Sequence, residues 1–512
     1  MKRIIIYLGL VLFFASSFVS AKENLGLRDL FKHNSAVIYT LNVRNFAAID
    51  KDDNGIIEVE NGDKIGTFVS AKEKLAQLAK EGINTIYLLP ITPVGKLKAL
   101  GTAGSLYAMD AFNKIAPELD EPFNNKTVYQ ETREFVDEAH KLGMYVIIDL
   151  PSCGSYDLSL RKPGWYALKD DESIIPADWT DVRLFKVYNE DKSLSQTTLN
   201  NFKSFVDMAL ELGFDGIRAD VAAIKPPNFW RDVIKYSRSK NKKFFFLAEA
   251  NVEWDNPAPN GVPYYSTVDD LLSAGFDSYY ASWSDFKNIK TKVEFDNKIN
   301  KNLKVLKRNK NKSTISSFAT HDQQAPILRG ENYWNMVLWL NATLPSNMYF
   351  LDGFSFADDY TYSYEGKKAP KSYTDDEYYF VHSGMFDIFN FSAPIKEKHP
   401  ELKEIYLKAI DFRKNNNDLI TEGKFSLLKT GNDKVFAYSI IDRDRELVVL
   451  ASLDENSNQS ATVKTKYLKK DNLFSLVCTK KYPQLNQETI NVELEPLEIQ
   501  VYMISLASSR AM

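Results

Sequence analysis

Strand-length apolar runs rich in β-branched and aromatic residues recur at 36–43, 84–91, 145–149, 216–220, 244–249, 277–280, 314–318 and 347–351. Helical patterns lie between most of them, at 70–81, 128–142, 197–212, 228–239, 293–308 and 332–340. Short continuous apolar runs suit strands covered on both faces, whereas apolar positions spaced by three and four residues suit helices. A strand that returns through a helix to lie beside its predecessor must run parallel to it. Eight such units predict an α/β fold, a closed (β/α)8 TIM barrel.

A long polar stretch at about 151–195, containing Trp165, Tyr166 and Trp179, follows the third run and is expected to cover the barrel mouth. After a last helical pattern at 395–414, short alternating runs such as 434–440 and 446–450 predict a C-terminal antiparallel β-sandwich. The expected plan is a leader over 1–21, the barrel over 22–417 and the sandwich over 418–512. The leader rests on Lys2 and Arg3, the apolar run from Ile4 to Phe14, and Val19-Ser20-Ala21. That is a signal-peptide pattern, short for a membrane span, with an uncleaved anchor as the rival reading, and it predicts a secreted or periplasmic protein without stable membrane insertion after cleavage.

A net charge of -4 with interspersed signs excludes a concentrated basic stripe, and with it the electrostatic footprint of a nucleic-acid binder. A neutral ligand fits better. The two cysteines, Cys153 and Cys478, lie too far apart in sequence to suggest a disulfide scaffold or a cysteine-rich zinc site.

In a barrel of this type chemistry sits at the C-terminal ends of the strands. Asp149 closes the third run, Asp220 the fourth and Glu249 the fifth, while His321 and Asp322 follow the seventh. One strand-end carboxylate is usually a cap or an ion-pair partner, but four around one mouth point to catalysis. Arg218, two positions before Asp220, shares its face of the strand and favours an ionised carboxylate. The apolar approach to Glu249 through Phe244, Phe245, Phe246 and Leu247 predicts the opposite, a raised pKa. One ionised and one protonated carboxyl group is the pairing that retaining glycoside cleavage requires.

The segments 216–220, 246–249 and 318–322 resemble, in order, the second, third and fourth signature regions of the α-amylase superfamily (glycoside hydrolase family 13). Residues 37–44, 88–93 and the C-terminal strands are also similar to that family, so the resemblance covers almost the whole chain beyond residue 21. It implies a retaining α-glycosidase acting on α-linked glucans or maltooligosaccharides through a covalent glucosyl-enzyme intermediate. Asp220 would be the nucleophile, Glu249 the acid/base and Asp322 the stabiliser of the distorted sugar. Arg218, His321, Asp149 and Tyr107 would bind substrate, Tyr107 by stacking. The working carboxyl groups of a retaining pair are expected about 5 to 5.5 Å apart.

The departures bear on substrate. The first signature region reads Asp149-Leu-Pro-Ser-Cys153-Gly154, without the family's substrate-binding histidine and with Cys153 where a calcium-binding asparagine often stands. Ala223 and Ile224 replace a lysine and a histidine that usually follow the nucleophile. An α-glucan transglycosylase of the glucanotransferase or maltosyltransferase kind is therefore an alternative, and a non-catalytic glucan-binding member a more distant one. No organic cofactor is implied. A structural calcium ion is suggested after the first strand, where Asp50, Asp52, Asn54, Ile56 and Glu58 stand at alternate positions. That loop resembles one in oligo-1,6-glucosidase-like members of the superfamily.

Overall fold

The computed structural model describes residues 26–169, 172–174, 181–253, 265–281, 283–359, 387–394, 397–469, 472–477 and 483–506. The expected leader at 1–21, Trp179 and Cys478 lie outside the described residues. Among the described residues, no helix is long and apolar enough to cross a membrane.

The eight apolar runs form one parallel sheet: β1 (Val37–Leu41), β2 (Thr85–Leu88), β3 (Tyr145–Leu150), β4 (Gly216–Ala219), β5 (Phe245–Ala248), β6 (Ser278–Tyr280), β7 (Ser313–Ile315) and β8 (Met348–Leu351). Neighbours in the sheet are neighbours in the chain, and β8 returns to pair with β1. Between β7 and β8 the ladder shrinks to one bridge, Ile315 with Asn347. The barrel is thus nearly closed. Apart from Tyr145, every strand residue is buried, as continuous apolar runs require when a packed interior lies on one face and helices on the other.

Side-chain caps carried in the sequence start the helices. Thr127 and Gln130 form a reciprocal capping box ahead of Val128–Lys141, as do Thr291 and Glu294 ahead of Lys292–Arg308. The capping box of Thr67 and Ser70 begins the expected 70–81 helix earlier and yields two pieces, Phe68–Lys72 and Leu75–Lys80. A helix at Val268–Ala274 joins β5 to β6 where the sequence pattern predicts none, because its 7 residues give less than two turns of periodicity. Pro400 confines the chain to a tighter turn, so the last helix of the barrel starts at Lys403 and ends at Asn415 rather than spanning 395–414.

The excursion after β3 contains two short antiparallel ladders, Cys153–Ser155 with Val182–Leu184 and Leu168–Lys169 with Glu172–Ser173. It is tied to the C-terminal end of the barrel by Ser155 N donating to Met109 O at 2.8 Å and Ser105 N donating to Asp181 Oδ2 at 3.2 Å. Gly154 is required here, since a Cβ would stand 2.2 Å from Tyr166 Oη and 2.6 Å from Phe185 Cζ.

Towards the C-terminus, a five-stranded antiparallel sheet faces a three-stranded one. The alternation in Val435–Ile441 explains how. Phe436, Tyr438 and Ile440 join the barrel's apolar core, Phe436 lying 3.8 Å from the Phe295 ring. Val435 and Ala437 instead pack with Val463, Ile490 and Val492 of the smaller sheet.

One charge is sealed at the N-terminal rim. Arg413, 2% exposed, donates to the carbonyls of Ala342 (3.1 Å), Leu344 (3.0 Å), Asn34 (2.9 Å), Asn341 (3.4 Å) and Ser346, and to Asn417 Oδ1 (2.9 Å). Several of these carbonyls end the helix Glu331–Thr343, where the helix dipole is negative. Burial lowers the Arg413 pKa to about 9, which leaves the guanidinium charged at neutral pH.

Candidate active site

The opposite rim is organised around Arg218. β4 places it inward, fully buried. Its Nη1 donates to both oxygens of Asp149 at 2.9 Å and to Asp220 Oδ1 at 3.0 Å, and its Nη2 lies 2.9 Å from Glu249 Oε1. Three strand-end carboxylates, from β3, β4 and β5, therefore share one cation.

Each carboxylate has further partners. Asp149 accepts from Tyr87 Oη at 2.6 Å and from Tyr107 Oη at 2.9 Å. Burial pushes its carboxyl group up to about 6, against the pull of Arg218. Asp220 Oδ2 accepts from the Ser152 backbone N–H at 3.1 Å. Glu249 Oε2 accepts from Val221 N at 2.6 Å. Burial pushes Glu249 up to about 8; Arg218 opposes the shift, and the Asp220 and Asp322 charges add to it. To deliver that N–H, Val221 adopts φ +34°, a left-handed conformation costly for a β-branched residue.

Tyr107 Oη also lies 2.8 Å from His321 Nε2, and since the phenol donates to Asp149 the histidine nitrogen is assigned as the donor in that pair. The two rings are nearly parallel, at 10° with centroids 5.7 Å apart. Burial raises the Tyr107 pKa well above its ordinary value, so the phenol keeps its proton. His321 Nε2 lies 3.6 Å from Asp322 Oδ1, whose side chain is 33% exposed. Asp322 is thus the open member of the group, the side chains of Asp220 and Glu249 being 12% and 10% exposed. All seven residues expected at the site converge: Asp149, Arg218, Asp220, Glu249, Tyr107, His321 and Asp322.

Residues not singled out from sequence also stand here. Tyr87 alternates with Thr85 on β2 and faces inward by the period of two, a signal the strand pattern carried. Asp352, just past β8, is a fifth strand-end carboxylate, accepting from Tyr39 Oη at 2.5 Å and pushed up to about 6 by burial. Its adjacent Gly353 makes the pair look like an ordinary turn in sequence.

In the loop after β1, carboxylate oxygens of Asp50, Asp52 and Asp63 lie within 4.8 Å of one another. Asp63 replaces Glu58 as the converging acid; Glu58 Oε2 instead accepts from Asn61 Nδ2 at 2.8 Å, while Asn54 Oδ1 accepts from Ile56 N at 2.8 Å. Backbone N–H groups of Glu58 and Lys51 hold the Asp63 carboxyl below its usual range. Three anionic oxygen donors form the hard set that suits calcium.

No family model matches the chain. It is 23% identical over 427 residues to the α-1,4-glucan:maltose-1-phosphate maltosyltransferase of Arcanobacterium haemolyticum, covering 78% of this chain and 56% of that protein. It is 27% identical over 206 residues to the enzyme of the same name from Mycolicibacterium smegmatis, covering 37% of this chain and 29% of that one. The chain thus spans about half the length, or less, of these curated relatives. Among solved structures it is similar to the maltogenic α-amylase AmyB of Thermotoga neapolitana (TM-score 0.66, 18% identity, 93% of this chain and 99% of that one). It is also similar to the debranching enzyme of Nostoc punctiforme (TM-score 0.61, 14% identity, 93% and 98%). With a barrel of this topology and antiparallel C-terminal sheets, the chain has the same fold as these α-amylase and debranching-enzyme structures.

Proposed function

We propose that the protein cleaves α-glucosidic bonds in α-linked glucans or maltooligosaccharides with retention of configuration. The observation that carries this reading is the convergence of the Asp220 and Glu249 carboxyl groups on one buried arginine, with the more exposed Asp322 close by. Burial pushes Glu249 up to about 8, so that it holds a proton at neutral pH, and each group accepts a backbone N–H on the oxygen Arg218 does not contact, Asp220 from Ser152 and Glu249 from Val221.

In the first step an Asp220 oxygen forms a bond to the anomeric carbon as the glycosidic C–O bond breaks, and the Glu249 proton passes to the departing oxygen. In the second, Glu249 as carboxylate takes a proton from an incoming hydroxyl, whose oxygen displaces Asp220 from the anomeric carbon. Asp322, the exposed carboxylate, would accept hydrogen bonds from the sugar's hydroxyls. Tyr107 and His321 border that position. Asp50, Asp52 and Asp63 would hold a calcium ion that braces the loop after β1, without a role in the chemistry.

A second reading differs only in the incoming hydroxyl: a sugar in place of water, giving transglycosylation. The maltosyltransferase names of the curated relatives favour it. Incubation with maltoheptaose and chromatography of the products over time decides between them. Shorter sugars alone mean hydrolysis; products longer than the starting sugar mean transfer. No change in either direction, with maltose 1-phosphate added as a possible donor, would sink both.

A further inference from the structure

Lys225 follows the nucleophile strand and precedes Pro226-Pro227, a setting typical of a surface turn, yet its side chain is completely buried. Its Nζ donates to the Ser152 carbonyl at 2.9 Å and lies over the Phe202 ring at 5.0 Å. The backbone around it is clamped: Trp230 Nε1 donates to Ala222 O at 2.8 Å, Ser266 N to Ala223 O at 2.8 Å and Ser266 Oγ to Lys225 O at 2.7 Å. The ammonium is therefore held in place from its own side of the contact.

Ser152 is the residue that it holds. Ser152 is fully buried, its hydroxyl donates to the Asp220 carbonyl, and its N–H is the donor on Asp220 Oδ2, the oxygen that Arg218 does not contact. A buried ammonium normally stands against a carboxylate. Burial lowers the Lys225 pKa to about 8, against the pull of Cys153 and Asp220, and pushes the Cys153 thiol up to about 12, so at neutral pH the ammonium is charged and the thiol is not. That leaves Asp220 as the acidic group this cation acts on, through Ser152.

We propose that Lys225 is a positioning residue for the reaction. Its ammonium fixes the Ser152–Cys153 peptide so that the Ser152 N–H stays on the second oxygen of Asp220, and it adds a positive charge on a side of the nucleophile that Arg218 does not cover. Arg218 orders one oxygen and Lys225, through Ser152, orders the other. The proposal rests on Asp220 being the nucleophile.

Two variants test it, Lys225→Gln, which keeps a donor and loses the charge, and Lys225→Arg, which keeps the charge. Purified folded protein is assayed on maltoheptaose across pH, and the labelling of Cys153 by a maleimide is followed by peptide mapping. In Lys225→Gln, kcat is expected to fall about tenfold with KM within threefold, and the acid limb of the kcat/KM profile to move to higher pH. Lys225→Arg should keep the limb near its original position. Cys153 should become reactive in Lys225→Gln, since its peptide has lost the charged anchor. An unchanged kcat and acid limb in folded Lys225→Gln overturns the proposal, as does an equal displacement of the limb in both variants. Labelling needs no substrate, so it separates the two ideas. A wild type inert on glucans with Cys153 released only in the variant leaves the anchor standing and removes the glucan reading.

Discussion

Arg218 and Arg413 are both buried, at opposite ends of the barrel, and are neutralised by different means. Arg218 faces three carboxylates, whereas Arg413 faces carbonyls and one side-chain amide. Carbonyl dipoles cannot titrate, so the Arg413 rim is electrostatically constant at neutral pH and below, where the guanidinium keeps its charge. Carboxylates crowded around one cation compete for it, and burial then divides them by proton affinity, Glu249 near 8 and Asp149 near 6. Satisfying a buried charge with dipoles makes a fastener; satisfying it with a surplus of opposite charges makes a reactive centre.

The contrast is most sharply tested by Asp220→Asn. Turnover of maltoheptaose is expected to fall by about 10^3-fold or more, with the melting temperature within a few degrees of wild type. Appreciable residual turnover would mean that the mouth arginine is structural too. Next in size is Arg413→Met, which leaves several buried carbonyls without a donor and is expected to cost about 3 kcal/mol or more in urea unfolding. Its kcat per folded molecule should match wild type within twofold, and a loss of kcat without a loss of stability would erase the distinction between the rims.

A smaller effect follows from Glu249. As the proposed acid, it must be protonated in the first step, so kcat/KM should decline above about pH 8, tenfold per unit, and Glu249→Asp should displace that limb. Its folded pKa is raised above the usual carboxylate value, so the folded state binds this proton more readily than the unfolded one. Its contribution to stability is therefore present at low pH and lost as pH rises from about 4.5 to about 8. The smallest expected change is a fall of a few degrees in melting temperature on chelation, absent in Asp63→Asn; identical curves with and without chelator would remove the calcium proposal.

The mouth was legible because its acids terminate apolar runs, a conspicuous pattern in Gly216–Asp220 and Phe244–Glu249. The opposite rim was not. Arg413 reads in sequence as one more basic residue in the last turn of a helix, and its burial comes from segments at 34 and 341–346 that only the closed barrel brings together. Asp63 was missed for the same reason: it reaches Asp50 and Asp52 through a turn, not through their alternation. Lys225 stands before two prolines, a loop setting in sequence, and the clamp on its backbone comes from Trp230 and Ser266. Asp149, Asp220 and Glu249 announce themselves by ending apolar runs; Arg413 and Lys225, satisfied by distant backbone, do not, and Asp352 at the end of β8 is hidden by the turn-like Gly353.

The seam of the barrel has a consequence for synthesis. Asn347 pairs with Ile315, while its side chain accepts from Ala36 N at 3.0 Å and donates to Phe31 O at 3.0 Å and to Thr314 O at 3.1 Å. These bonds join the first strand, the seventh and the eighth through one residue, so a nascent chain cannot be sealed until that asparagine has left the ribosome. Until then β1 and β7 are open sheet edges, exposed to pairing with other chains. Aggregation during expression should accordingly respond more to events at this late residue than to those at the catalytic mouth.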